Sequence, residues 1–276
     1  DEVRRLSARA NELLPSPAPL GRDEYPRRRV VCLPPSSLYR VRHRHPNVTE
    51  PNAAVIVSFQ AGYDVQTRER VLMALLSTLL EEAIMDDLRT TQMLGYVVQS
   101  GPRNSGSAQA YSVYVQTDKH PVATVERAIY KAVRHHVAEL STLSLRKFEE
   151  TRDGLVAAYE ERYWKLGQKS DMLWREIVSG RRTFGWKREA VEALRLLTLS
   201  QVVEFARNLT EPATASVVAV RVYPGGTTDM TDTEDMAFPV DTLQEVPYPA
   251  VEAIRHTLPA YPNTRKPLFV PFSWEE

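Results

Sequence analysis

Arg89 and Tyr96 stand seven residues apart in the segment LRTTQMLGYVVQSGP, residues 88–102, with a helical pattern before them and an extended pattern after. Arginine offers a fixed fork of donors to a carbonyl or carboxylate, and a tyrosine hydroxyl can donate to an oxygen on which negative charge is developing. Placed across a helix end and a glycine, both side chains can reach one cleft. Spacing alone reads them more plainly, as an arginine capping a helix and a tyrosine in the core.

The other reactive side chains form no complete set. Of the six histidines, only His135 and His136 have metal-site spacing. His136, Val137, Ala138 and Glu139 begin as an inverted zinc motif His-x-x-Glu-His would, but Leu140 stands where the second histidine belongs. Zinc hydrolases usually supply three protein ligands, two of them commonly histidines on one helix face. His135 is a poor substitute, because neighbouring helical residues point about 100° apart. His43 and His45 share a strand face without an acidic or cysteine partner and read as surface residues. No metal is therefore expected to be held by this chain. Glu81, Glu82, Asp86 and Asp87 read as the wet face of a helix rather than as an acid–base pair. No nucleophile elbow surrounds any serine.

One stretch is locally basic: Arg22, Arg27, Arg28, Arg29, Arg40, Arg42 and Arg44 lie between residues 22 and 45. It could contact RNA or polyphosphate, but a solvated strand face paired with the acidic stretch from Asp229 to Asp235 accounts for it. Over the whole chain 35 Lys and Arg balance 35 Asp and Glu, so no global field attracts nucleic acid or an anionic membrane. Nucleic acid is not an expected partner.

The elements that must position Arg89 and Tyr96 follow from periodicity. Strands are expected over residues 29–33, 38–45 and 53–59, the first two separated by Pro34 and Pro35, with a turn at AlaGlyTyrAsp after the third. From Val65 to Leu88 the period becomes helical, with Val71, Leu72, Leu75, Leu76, Leu79, Leu80, Ala83 and Ile84 forming a stripe wide enough to face a sheet. Strands 96–100 and 109–116 follow, joined by a loop over Gly101 to Ser107. Helices are expected over 122–140, from an N-cap at Ser144, over 169–178 and 189–197, and from Ser200, with Thr198 also available, to Asn208. A last strand spans 213–222.

Consecutive strands joined by short turns, with helices layered on a face, define an α+β fold with an antiparallel sheet. Residues 1–24 read as a short helix and linker, 25–226 as the α+β domain and 227–276 as an extended tail packing on it. At 43% hydrophobic and 25% charged, the 276 residues can bury a substantial core. Cys32 is the single cysteine and reads as a buried, inert thiol in a reducing compartment. No apolar run approaches the ~20 residues of a membrane span, and the charged N-terminus has no signal-peptide pattern.

LRTTQMLGYVVQSGP closely resembles the matching stretch of the insulysin/pitrilysin-type zinc metallopeptidases, the family of insulin-degrading enzyme, in the last of their four homologous domains. The likeness continues in QAYSVYVQTDKHP (109–121), YWKLGQKSDMLWREI (163–177), LTLSQVVEF (197–205) and KPLFVPF (266–272). It covers most of residues 25–272, and the first 24 residues resemble the closing helix and linker of the third domain.

The resemblance implies a C-terminal part of a zinc metalloendopeptidase that degrades oligopeptides in a closable chamber. Its catalytic zinc would lie in the N-terminal half of the same enzyme, leaving no cofactor in this chain. By correspondence Arg89 would bind the peptide backbone, Tyr96 would bind substrate and help stabilise the tetrahedral oxyanion, and Leu94 and Gly95 would be packing and turn residues. Thr91 and Met93 depart from the charged or polar residues common in relatives. The implied partners are peptide substrates, the N-terminal half and, for the parent, a second copy in a homodimer, with no membrane. The ending SerTrpGluGlu lacks the peroxisomal tripeptide of some relatives, so a cytoplasmic location is expected. The chain alone is expected to be inactive. The alternative is a non-catalytic scaffold or core subunit of a peptidase-like assembly.

Overall fold

A computed structural model describes residues 2–13, 30–62, 66–105, 108–179, 183–231 and 238–261. The expected linker, Arg22, Arg27, Arg28, Arg29, Tyr63 and Asp64 of the turn, Gly106 and Ser107 of the hairpin, Asp232 to Asp235 and the end of the tail lie outside the described residues.

Strand β2 (Ala53–Gly62) buries Ala53, Val55, Val57 and Phe59 on one face, while the alternate positions remain half-buried. Its period-two pattern places it at the sheet's centre, between β4 (Ala108–Thr117) and β5 (Ser216–Tyr223), antiparallel to both. Six strands run in the order β3, β4, β2, β5, β1, β6, with β3 at Val97–Ser105, β1 at Ser37–Arg44 and β6 at Thr242–Pro247.

The α+β class holds, but the sheet is mixed. β1 pairs in parallel with both β5 and β6. Each is separated from its partner by a long excursion, and such a connection can return a strand in either direction. The hairpin also differs from expectation, because residues 101–105 continue β3 in ladder with β4 rather than forming a loop. Val31 makes only an isolated bridge to Ala260, so residues 30–33 are not a strand. In the segment expected to be an extended tail, 242–247 pair as an edge strand and Val251–Thr257 form a short helix (α8).

The helical stripe behaves as expected. In α2 (Thr67–Met85), Val71, Leu72, Leu75, Leu76, Leu80 and Ile84 are buried, and α3 (Val122–Glu139) buries Val125, Ile129, Val133 and Val137. These helices share one apolar core with α4 (Leu145–Glu160), α6 (Trp186–Arg195), α7 (Leu199–Thr210) and the inner sheet face. Tyr39, Leu33 and Val246 form a smaller cluster with α8 residues on the opposite face. The terminal helix α1 (Glu2–Leu13) leaves Val3, Leu6 and Leu13 exposed, as does α5 (Leu166–Ser179) with Trp174 and Val178. Among the described residues no helix is long and apolar enough to cross a membrane.

Ser144 caps α4 by accepting from the Lys147 amide at 3.3 Å. α7 is capped by Thr198 rather than Ser200, in a reciprocal box with Gln201. Arg40 is not on a solvated face. Its guanidinium lies 2.7 Å from Glu126, whose other oxygen is 2.6 Å from Arg221, and all three side chains are under 10% exposed. The Tyr130 hydroxyl donates to the same carboxylate at 3.0 Å. Arg40 and Arg42 also meet Glu245 of β6. Among the described residues Arg40 meets Glu126 and Glu245, and Arg42 meets Glu245; most of the expected acidic stretch lies outside the described residues. Cys32 is half-buried, a degree less than its expected burial.

Candidate functional site

The site begins where α2 ends. Residues Asp86–Thr91 widen into a π-helical turn, closed by the Gln92 amide donating to the Asp87 carbonyl at 2.9 Å. Such turns recur at functional sites. Leu88, fully buried, anchors the turn from below while Arg89 points outward. Met93 then adopts a left-handed φ of 50°, and the Leu94 amide donates back to the Leu88 carbonyl at 3.0 Å. The chain reverses here and drops Leu94, 4% exposed, into the core.

Gly95 passes directly against β4. A Cβ at this position would overlap the backbone carbonyl of Gln116, so only glycine fits. Tyr96 follows at the mouth of β3, and the residue is 83% exposed. It is therefore not the core tyrosine that spacing alone suggested. Arg89 does not act as a helix cap either: its guanidinium carbon sits 5.0 Å from the centre of the Tyr96 ring. An exposed cation–π contact of this kind is worth about 0.5–1 kcal/mol. Among the described residues, the Arg89 guanidinium has no carboxylate partner, and the Tyr96 hydroxyl has no hydrogen-bond partner. The two sequence-derived site residues are thus brought together, with their donors free.

A contact that sequence reading missed supports the turn from behind. Asp87 does not lie on the wet face: one carboxylate oxygen accepts from the Gln92 side chain at 2.9 Å, and the other lies 3.2 Å from His136 Nε2. The His136 ring is only 13% exposed, and its Nδ1 lies 2.8 Å from Glu139. His135 Nε2 lies 3.4 Å from the other oxygen of Glu139. His135, a poor substitute for the missing second histidine by its neighbouring position, nonetheless meets the same carboxylate as His136. Glu139, one turn further on, spans the angle between them, and potential ligand atoms of the three residues lie within 4.8 Å of one another. His43 and His45 form no such group, since His43 packs on Tyr248 at 4.2 Å between ring centroids and His45 bonds the Asn47 backbone.

The family model of the "PQQ synthase PqqF-like, C-terminal lobe domain 4" matches residues 75–174, a span that includes Arg89 and Tyr96. Mouse nardilysin is 31% identical over 190 residues, covering 68% of this chain and 16% of nardilysin. Human insulin-degrading enzyme is 25% identical over 206 residues, 69% of this chain and 18% of its own length. The crystal structure of pitrilysin superposes with a TM-score of 0.69 at 16% identity, covering 86% of this chain and 24% of that one. The fold is thus that of a pitrilysin-type peptidase domain. The chain is an insulysin/pitrilysin-type C-terminal domain. It spans about a quarter or less of the length of these relatives.

Proposed function

We propose that this chain is the substrate-binding part of a zinc metalloendopeptidase that degrades oligopeptides, with Arg89 and Tyr96 acting on the peptide at the scissile bond. The observation that carries this reading is the exposed, stacked pair whose donors meet no described partner. A fold does not go to the length of a π-helical turn, a left-handed Met93 and an obligate Gly95 for a tyrosine that needs only burial.

The residues present do not make the family's catalytic zinc set, since buried Leu140 replaces the second histidine of the inverted motif. In this reading zinc is held by the N-terminal half, where it would polarise the carbonyl and activate water. The chain's own residues do the rest. The Arg89 fork binds a peptide carbonyl and fixes the substrate's register. The Tyr96 hydroxyl donates to the carbonyl oxygen as it becomes an oxyanion, a contact stronger in the transition state than in the ground state. The stacked guanidinium holds the ring in position and adds positive charge near that oxygen.

The partners in this reading are peptides and the N-terminal half of the same enzyme, and the parent forms a homodimer. A cytosolic location belongs to it as well, supported by the single cysteine. The test is complementation. The chain alone should not cleave a fluorogenic peptide, and mixing it with the zinc-bearing half should produce cleavage. Cleavage that is unaffected by omitting this chain would contradict the proposal and favour the scaffold reading.

A further inference from the structure

We propose that His135, His136 and Glu139 bind one Zn2+ ion on the outer face of α3, with Asp87 as the carboxylate that orients His136. Two imidazoles and a carboxylate are a three-ligand set that leaves a position open, and nitrogen and oxygen donors of this kind suit zinc.

The geometry supports it at three points. In a tetrahedral site with bonds of about 2.0–2.1 Å, ligand atoms lie roughly 3.3–3.4 Å apart. His135 Nε2 and Glu139 Oε1 are at 3.4 Å and His136 Nδ1 and Glu139 Oε2 at 2.8 Å, with the potential ligand atoms of all three residues inside 4.8 Å. Modest side-chain rotation closes the set.

Both ring nitrogens of His136 face a carboxylate: Nδ1 faces Glu139, and Nε2 faces Asp87 at 3.2 Å. A neutral imidazole has one proton for these two contacts. With Nε2–H donating to Asp87, the Nδ1 lone pair points at Glu139, and a cation between them with His135 as third ligand satisfies both groups. Metal-bound histidines donate the far ring N–H in this way, to a carboxylate, a backbone carbonyl or water.

Access and framework are divided between the two sides of the cluster. The His136 and Asp87 side chains are 13% and 22% exposed, whereas His135 and Glu139 are 64% and 57% exposed. An ion can enter from solvent and meet a ligand already fixed. Asp87 also accepts from Gln92 on the turn that carries Arg89, so occupancy would tie α3 to that turn.

The site is tested by titrating this chain with ZnCl2 against a competing chromophoric chelator, with far-UV circular dichroism as a fold control. One equivalent should bind. Asp87→Asn should weaken it by about 10–100-fold at unchanged stoichiometry. The His135→Ala/Glu139→Gln double variant, confined to exposed side chains, should abolish the site, while His43→Ala/His45→Ala should leave it intact. Three results would overturn the proposal: no binding at millimolar zinc, binding that survives the His135/Glu139 double variant, or binding lost with His43 and His45. The readout is binding and does not depend on peptidase activity.

Discussion

Arg89 and Tyr96 owe their pairing to residues with no reactive chemistry. Gly95 admits the chain beside Gln116, Leu94 pins it to the core, and Met93 supplies the reversal. Gly95→Ala must therefore push the segment off β4. We expect a loss of about 1–3 kcal/mol, the usual cost of overpacking, measured by urea denaturation, and a loss of the Arg89–Tyr96 stacking. Spacing alone pointed to a helix-capping arginine and a core tyrosine, and only the resemblance of LRTTQMLGYVVQSGP to the family set the two side chains at one site. The support from Asp87 and His136 was not legible, because the two residues are 49 positions apart and meet only when α3 packs beside the turn. Arg40 was misread for the same reason. Alternation along β1 marks its face, but only the fold shows that Glu126 covers that face.

At the scale of elements, periodicity carried the helices and failed at connections. The stripe of α2 gave its length and its buried face, yet nothing in residues 86–91 signals that the last turn widens to five-residue spacing. The parallel placement of β1 between β5 and β6 depends on where long excursions return, which strand patterns do not encode. Residues 101–105 contain Gly, Pro, Asn and Ser, turn formers by composition, but pairing with β4 holds them extended. Caps sit between these cases. Thr198 and Ser200 are both acceptable N-caps, and the Gln201 side chain decides for Thr198 by returning a bond to its amide at 3.2 Å. Thr198→Ala should thus cost about 0.5–2 kcal/mol, and Ser200→Ala much less. Thermal or urea unfolding of the two variants distinguishes them, and equal losses would mean that the capping assignment is wrong.

Across the whole molecule the balanced charges lie mainly at the surface, and a charged cluster is buried in an otherwise apolar core. Glu126 gathers Arg40, Arg221 and Tyr130 between α3 and the sheet, and removing one member of such a group strands the others without water. Burial pushes the Tyr130 and Tyr111 hydroxyls above the ordinary tyrosine value of 10.0, and for Tyr130 the Glu126 charge adds to it. The fold therefore favours the protonated phenols. Their contribution to stability is complete below about pH 10, where the unfolded chain also holds these protons, and is lost as pH rises through the folded values. The urea midpoint should start to fall as pH rises above about 10, and Tyr130→Phe should reduce that fall.

The central claim is that a peptide is held by Arg89 and that charge develops against Tyr96. The most direct test is kcat/KM for the parent peptidase carrying Tyr96→Phe, Arg89→Ala and both changes. Loss of an oxyanion donor costs about 10²–10³-fold in kcat, so Tyr96→Phe should lower kcat by this order with little change in KM. Arg89→Ala should raise KM as well, and the double variant should lose less than the product of the two, because the side chains act as a stacked unit. Rates within a factor of two of the unmodified enzyme for both single variants would contradict the account.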